Sequence, residues 1–268
     1  MKTMSFTAKD VMTLRQQTGL GMMDCKQALA ASNGDMEAAE QWLRVKLKGK
    51  MDKRTERAAG EGRIGIAVAG DGAAIIELRT ETDFTARNES FVSLVDDLAK
   101  AALSLPAGAV EPTESISKRI DDIRMTTGEN VSFARGEHLQ GGRFGRYIHH
   151  DGKRAALIQI GGEADEAVLT GICQHIVAHV PPPVGISSDD VASETVERIR
   201  ADAIAEAQAS GKPAEIAQKM AEGRVRKYLE ENTLLNQKFV RDDTKTIKDL
   251  LPAGVTIQRF IRYTVGAE

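Results

Sequence analysis

GRIGIAVAGDGAAIIELRT (62–80) and GRFGRYIHHDGKRAALIQI (142–160) are the two stretches on which the fold turns. In the first, Ile64, Ile66 and Val68 alternate, Gly70-Asp71-Gly72 turns, and the chain returns from Ile75 to Thr80, which predicts a β-hairpin. The second keeps the same frame. GRIG at 62–65 becomes GRFG at 142–145, and Asp71-Gly72 becomes Asp151-Gly152, both pairs without an intervening gap. Each hairpin runs into a helical pattern. The first is expected over 86–105, with Phe91, Leu94, Val95, Leu98 and Ala102 on one stripe, and the second over 166–179. Five matched positions carry the repeat, and they imply two related α+β subdomains side by side. A further helix is predicted over 113–127, closed by Gly128.

Outward from this core, residues 1–50 read as three short helices. Thr7 caps the first, Gly19 and Gly21 separate it from a restart near Met22, and Asp35 caps the last, which carries Ala38, Ala39, Trp42, Leu43 and Leu47 at helical spacing. A basic run follows: Arg44, Lys46, Lys48, Lys50, Lys53, Arg54 and Arg57 against Asp52 and Glu56. It reads as a solvated helix end and linker, because no aromatic is interleaved for base stacking. Residues 194–230 form two helices around Ser210-Gly211-Lys212, with Pro213 suited to the first turn of the second. Their stripes are narrow: Val196, Ile199, Ala203 and Ala207 on one, Ile216, Ala217, Met220 and Ala221 on the other. They cover one partner helix and little else, so a second molecule or a purely internal role both fit. A short helix over 246–251 and a last alternating strand through Val255, Ile257, Ile261, Tyr263 and Val265 make that hairpin an insertion. The expected domains are 1–54 (three helices), 55–140 (first α+β subdomain), 141–193 with 231–268 (second α+β subdomain) and 194–230 (helical hairpin).

Composition narrows the function classes. Of 268 residues, 36 are basic and 39 acidic, a net charge of −3, which argues against a generic nucleic-acid binder. No apolar run approaches a membrane span, and MKTMSFTAKD has no signal-peptide core, so a cytoplasmic protein is expected. The two cysteines, Cys25 and Cys173, form no CxxC and exclude a disulfide framework.

Few segments carry chemistry. GEGRIG (60–65) matches G-x-G-x-x-G but follows a basic helix and opens a strand, the reverse of a dinucleotide site. His175 and His179 lie one helical turn apart near Cys173, but Ile176 stands where a zinc hydrolase places its Glu, so they read as structural or interface histidines. No nucleophile–base pair is recognisable; no enzyme, cofactor or metal is expected. The two copies differ most where the returning strand meets the helix: ETDFTARN (81–88) in the first, GGEADE (161–166) in the second. Thr82-Asp83-Phe84-Thr85 is therefore placed on a loop. Phe84 either folds onto its own core or projects outward, and the absence of a large apolar residue in the second copy weakens the core-facing reading.

Three segments together resemble one family. LRQQTGLGMMDCKQAL (14–29) with NGDMEAAEQWLR (33–44), ETDFTARNESF (81–91), and SGKPAEIAQKMAEGRVRKYLEENTLLNQKFVRDDTKTIKDLL (210–251) are similar, in order, to bacterial elongation factor Ts. The resemblance implies an N-terminal domain like ubiquitin-associated domains, a core of two related subdomains and a dimerisation-type helical hairpin. It also implies a guanine-nucleotide exchange factor acting on elongation factor Tu, GDP-bound and nucleotide-free, with no direct nucleic-acid contact. By position, Thr82, Asp83, Phe84 and Thr85 would form the wedge near the partner's magnesium site, with Asp83 and Phe84 intruding. Leu14, Met22 and Met23 would contact the GTPase domain, although an ordinary core role stays open for one of the two methionines. His149 would touch another domain of the partner, with His150 as the neighbouring alternative. Thr85 replaces the usual apolar residue after the Phe, Pro181–Pro183 is unusual, and the extra C-terminal helix of some longer members has no counterpart up to Glu268. The competing reading is an RNA- or ribosome-binding protein acting through 44–57.

Overall fold

Several helix ends in this chain are set by side chains or left-handed glycines that satisfy the orphan backbone groups of the first and last turns. The computed structural model describes residues 6–52 and 57–267. Thr7 closes a capping box with Asp10 at the start of α1 (Ala8–Thr18), and Gly19, in the left-handed region, ends it. α2 (Met22–Ala31) restarts after Gly21. Asp35 Oδ1 accepts from Ala38 N–H at 2.8 Å at the head of α3 (Met36–Asp52). Val11, Leu14, Cys25, Leu29, Leu43 and Leu47 make the core of these three helices. Of the basic run, Lys53 and Arg54 lie outside the described residues, as do the side chains of Lys48 and Lys50.

Next come β1 (Glu61–Ala69), β2 (Gly72–Thr80), α4 (Asp83–Arg87), α5 (Glu89–Ala102), β3 (Gly108–Ala109), α6 (Glu114–Thr127) and β4 (Ser132–Gln140). They form a four-stranded sheet ordered β1-β2-β4-β3. The second group is β5 (Arg143–Ile148), β6 (Arg154–Gly161), α7 (Glu166–Ala178), α8 (Ser193–Ala209), α9 (Ala214–Asn232), β7 (Lys238–Phe239), β8 (Asp242–Thr246), α10 (Ile247–Leu250) and β9 (Thr256–Thr264). Here β5, β6 and β9 form an antiparallel three-stranded sheet, and β7 pairs with β8. The chain divides into two compact units, 1–67 with 74–138 and 265–268, and 68–73 with 139–264. No helix among the described residues is long and apolar enough to cross a membrane.

In the first unit, α5 lies on the sheet with Phe91, Val95, Leu98 and Ala102 fully buried against Ile76 and Leu78. Each large side chain so buried contributes about 1.5–3 kcal/mol. The helix comes so close at Gly65 that a Cβ there would lie 2.8 Å from Val95 Cγ1 and 2.9 Å from the Val95 carbonyl oxygen. In the second unit, α7 approaches Gly145 in the same way: a Cβ would lie 2.6 Å from Leu169 Cβ. These are the fourth residues of GRIG and GRFG.

Several expectations need correction. The helix expected over 86–105 is two: Asn88 is extended, its side chain accepts from Ser90 N–H at 2.9 Å, and α5 begins only at Glu89. The expected loop at 82–85 is the start of the short helix α4. Strand β4 was not foreseen, because SFARGEHLQ does not alternate in hydrophobicity. Arg135 within it pairs with the fully buried Glu77 of β2 at 2.7 Å. Pro213 is the N-cap of α9 and not a residue of its first turn. The α8–α9 hairpin buries Ala203, Ala207, Ala217, Ala221 and Val225, whereas Ile216 and Met220 are exposed.

His175 ties the end of α7 to the chain after α9. Val240 N–H donates to Nδ1 at 3.3 Å, so Nε2 carries the proton and donates to Gln237 Oε1 at 3.0 Å. Gln237 Nε2 in turn donates to the carbonyls of Pro181 and Glu231.

Two tests follow. Gly65→Ala and Gly145→Ala each force a helix off its sheet and are expected to cost about 1–3 kcal/mol, read as a lower urea midpoint with unchanged slope. Burial, opposed by the Gln237 hydrogen bond, holds the His175 imidazole down to about 4 from an ordinary 6.5. Between those values the unfolded chain takes up a proton that the folded one does not. Stability is therefore expected to fall as pH drops through that window, with a limiting slope of about 1.4 kcal/mol per pH unit from this group. Urea titrations from pH 7 to pH 4 on wild type and His175→Gln read the difference, which should be a shallower decline in the variant.

Candidate functional site

A five-residue helix needs outside support, and Asp83–Arg87 has it at its N-terminus and along its inner face. Thr82, extended, is its N-cap, and its hydroxyl accepts from Thr85 N–H at 3.4 Å. Thr85 and Ala86 point inward and are buried. That orientation throws Phe84 to the opposite side, where it is 84% exposed. Phe91, seven residues on, is fully buried, so the two rings divide between core and surface. Asp83 stays on the surface and pairs with Arg87 at 3.2 Å, an exposed i,i+4 contact that contributes little to stability.

The turn is anchored from below. Glu129 stands just after α6, which Gly128 closes in the left-handed region. Its Oε2 accepts from Thr82 N–H at 3.1 Å and from the Thr80 hydroxyl at 2.7 Å. Its Oε1 accepts from the Thr82 hydroxyl at 2.6 Å. Burial raises the carboxyl's pKa, but the hydrogen bonds from Thr82, Thr80 and Thr85 outweigh it and hold the group below the usual range. The neighbouring Asn130 N–H donates to Glu81 Oε1 at 2.7 Å, and its Nδ2 donates to the Arg57 carbonyl at 2.7 Å. Sequence reasoning missed Glu129. Its only signal was a position one residue beyond a helix-closing glycine, which says nothing about what the carboxylate meets.

The other predicted residues lie elsewhere on the chain. Met22 and Met23, in the first turn of α2, are 48% and 65% exposed, so neither is a core methionine. Leu14 is fully buried among the three N-terminal helices, where it packs behind the surface that carries the two methionines. His149 lies just beyond β5, half-buried, with its Nδ1 3.0 Å from the Tyr147 hydroxyl and its ring 4.2 Å from that of the exposed His150.

Three described side chains of the basic run, Arg44, Lys46 and Arg57, make internal contacts. Arg44 pairs with Glu40 and Asp122, each at 3.2 Å. Lys46 lies 4.5 Å above the Trp42 ring and bonds Gln27, and Arg57 pairs with Glu81. Cys173 is fully buried, and that burial pushes its thiol far above the ordinary range. Among the described residues no three His, Cys, Asp or Glu side chains are grouped to hold a metal ion.

Against known proteins, residues 81–267 match the family model described as Elongation factor TS, a match that begins at the Glu81-Thr82-Asp83-Phe84 turn. Proteins named Elongation factor Ts align over nearly the whole chain. The one from Hydrogenovibrio crunogenus is 40% identical, covering 98% of this chain and 92% of its own length. Those from Thioalkalivibrio sulfidiphilus and Bartonella bacilliformis are 41% and 38% identical, again over 98% of this chain and over 93% and 94% of theirs. A match of this extent and identity places the chain in the elongation factor Ts family of translation elongation factors.

Proposed function

We propose that this protein is a guanine-nucleotide exchange factor, not an enzyme that makes or breaks covalent bonds, and that it acts in the cytoplasm on elongation factor Tu. The observation that carries the reading is Phe84, an 84% exposed ring on a turn held by the Thr82 cap and a carboxylate beneath it. Single exposed apolar side chains are ordinary. A ring held outward on a hydrogen-bonded mount is suited to enter another protein.

A GTPase holds GDP through backbone amides of its phosphate loop and through magnesium. An exchange factor has to bind the vacant partner more tightly than the GDP-bound one. By linkage it then weakens GDP by the same factor as GDP weakens it. Burying Phe84 in the vacant partner supplies roughly 2–3 kcal/mol, or about two decades of affinity at ~1.4 kcal/mol each. Asp83, exposed beside it, acts on the groups that hold magnesium and does not ligate the ion. Met22 and Met23 add adaptable apolar contacts from the three-helix segment, which we take to be like ubiquitin-associated domains. His149 adds a contact from the second sheet. The two hairpin-plus-helix arrangements, each with a helix pressed on a strand glycine, fit an origin as related subdomains. The α8–α9 hairpin, with Ile216 and Met220 exposed, fits a homodimer contact.

Phe84→Ala is expected to keep the fold and slow stimulated GDP release by about two decades, measured by stopped flow with a fluorescent GDP analogue. An unchanged rate would overturn the wedge. Asp83→Ala is expected to have a smaller effect that grows as magnesium is raised, so a magnesium titration of the same release rate separates the two residues.

A further inference from the structure

We propose that Glu129 is the positioning residue that presents Phe84 to the partner, acting through the N-cap of the turn and never touching the ring. The inference rests on the reading of Phe84 as the intruding group and adds the element that holds it ready.

Three hydrogen bonds converge on this carboxylate, from the Thr82 backbone N–H, the Thr82 hydroxyl and the Thr80 hydroxyl, and the Thr85 hydroxyl adds a fourth favourable interaction. Because the Thr82 hydroxyl spends its proton on Glu129 at 2.6 Å, its lone pairs are turned to the Thr85 N–H that starts the helix. A chain of hydrogen bonds thus runs from Glu129 through Thr82 to Thr85, and Phe84 lies between those last two residues. Asn130 extends the grip by holding Glu81, so residues 80, 81 and 82 are each bound by the two residues after Gly128. Thr85 and Ala86 fix the inner side of the turn by burial. The exposed ring adds nothing to the hold, so the turn depends on that burial and on this polar mount. Ordering the mount in advance removes a cost that would otherwise fall on binding.

An ionised carboxylate is the group that satisfies all of these donors with two oxygens. Glutamine keeps the shape but replaces one acceptor with a donor. Glu129→Gln is therefore expected to slow stimulated GDP release from elongation factor Tu about tenfold, with cooperative unfolding retained. Thr80→Val removes one donor without touching the turn and should slow it less. The decisive measurement is the double variant. If Glu129 works by presenting the ring, adding Glu129→Gln to Phe84→Ala slows release no further than Phe84→Ala alone. A wild-type rate in both Glu129→Gln and Thr80→Val, or losses that add fully to that of Phe84→Ala, would overturn the inference. Should Glu129→Gln fail to fold, the cycle of Thr80→Val with Phe84→Ala decides in its place. If Phe84→Ala alone leaves release unchanged, the wedge reading itself fails, an outcome distinct from slowing by Phe84→Ala with no effect at Glu129.

Discussion

A single turn of helix does not hold itself together, because fixing its residues costs more than its few internal hydrogen bonds return. The segment Asp83–Arg87 therefore depends on its supports: the Thr82 cap, the buried Thr85 and Ala86, and Glu129 beneath Thr82. The outward direction of Phe84 follows from them. With Thr85 and Ala86 committed to the interior, helical geometry leaves the preceding residue on the far side. The protein forgoes the burial of one large ring and keeps the polar groups under it satisfied.

The scaffold for this turn relies on close approach of helix to sheet. At Gly65 and again at Gly145 a helix sits where any side chain would collide with it. That contact fixes α5 against β1 and α7 against β5. It brings the fully buried Phe91 and Ile172 into their respective cores. The second arrangement has Gly162-Glu163-Ala164-Asp165 where the first has Thr82-Asp83-Phe84-Thr85. Its strand-to-helix junction carries no exposed ring, so the same packing device serves with and without one.

Much of this was legible from residues alone, wherever the cause is local. Thr7, Asp35 and Gly128 end or begin helices because their own side chains or backbone freedom satisfy neighbouring groups. The alternation in 62–80 and the repeated frame at 142–160 marked both hairpins. Elements shaped by distant partners were not legible. The strand Ser132–Gln140 looks polar because Arg135 answers Glu77 of β2. The helix over 86–105 looks continuous until Asn88 turns its side chain to Ser90 and starts a new one. Leu14 matched an expected contact position, yet only the packing of three helices shows it sealed.

By itself the sequence determined the two hairpins and most of the helices, the repeated GRIG and GRFG frame, the family resemblance and the Thr82–Thr85 segment as the place to look. Periodicity, capping and motif spacing are properties of residues near one another along the chain, so they can be read there. Only the tertiary structure decided that Phe84 faces outward and that Glu129, 47 residues beyond Thr82, holds the turn that carries it. A hydrogen bond across that separation depends on how α6 ends against β2, and no local pattern records it.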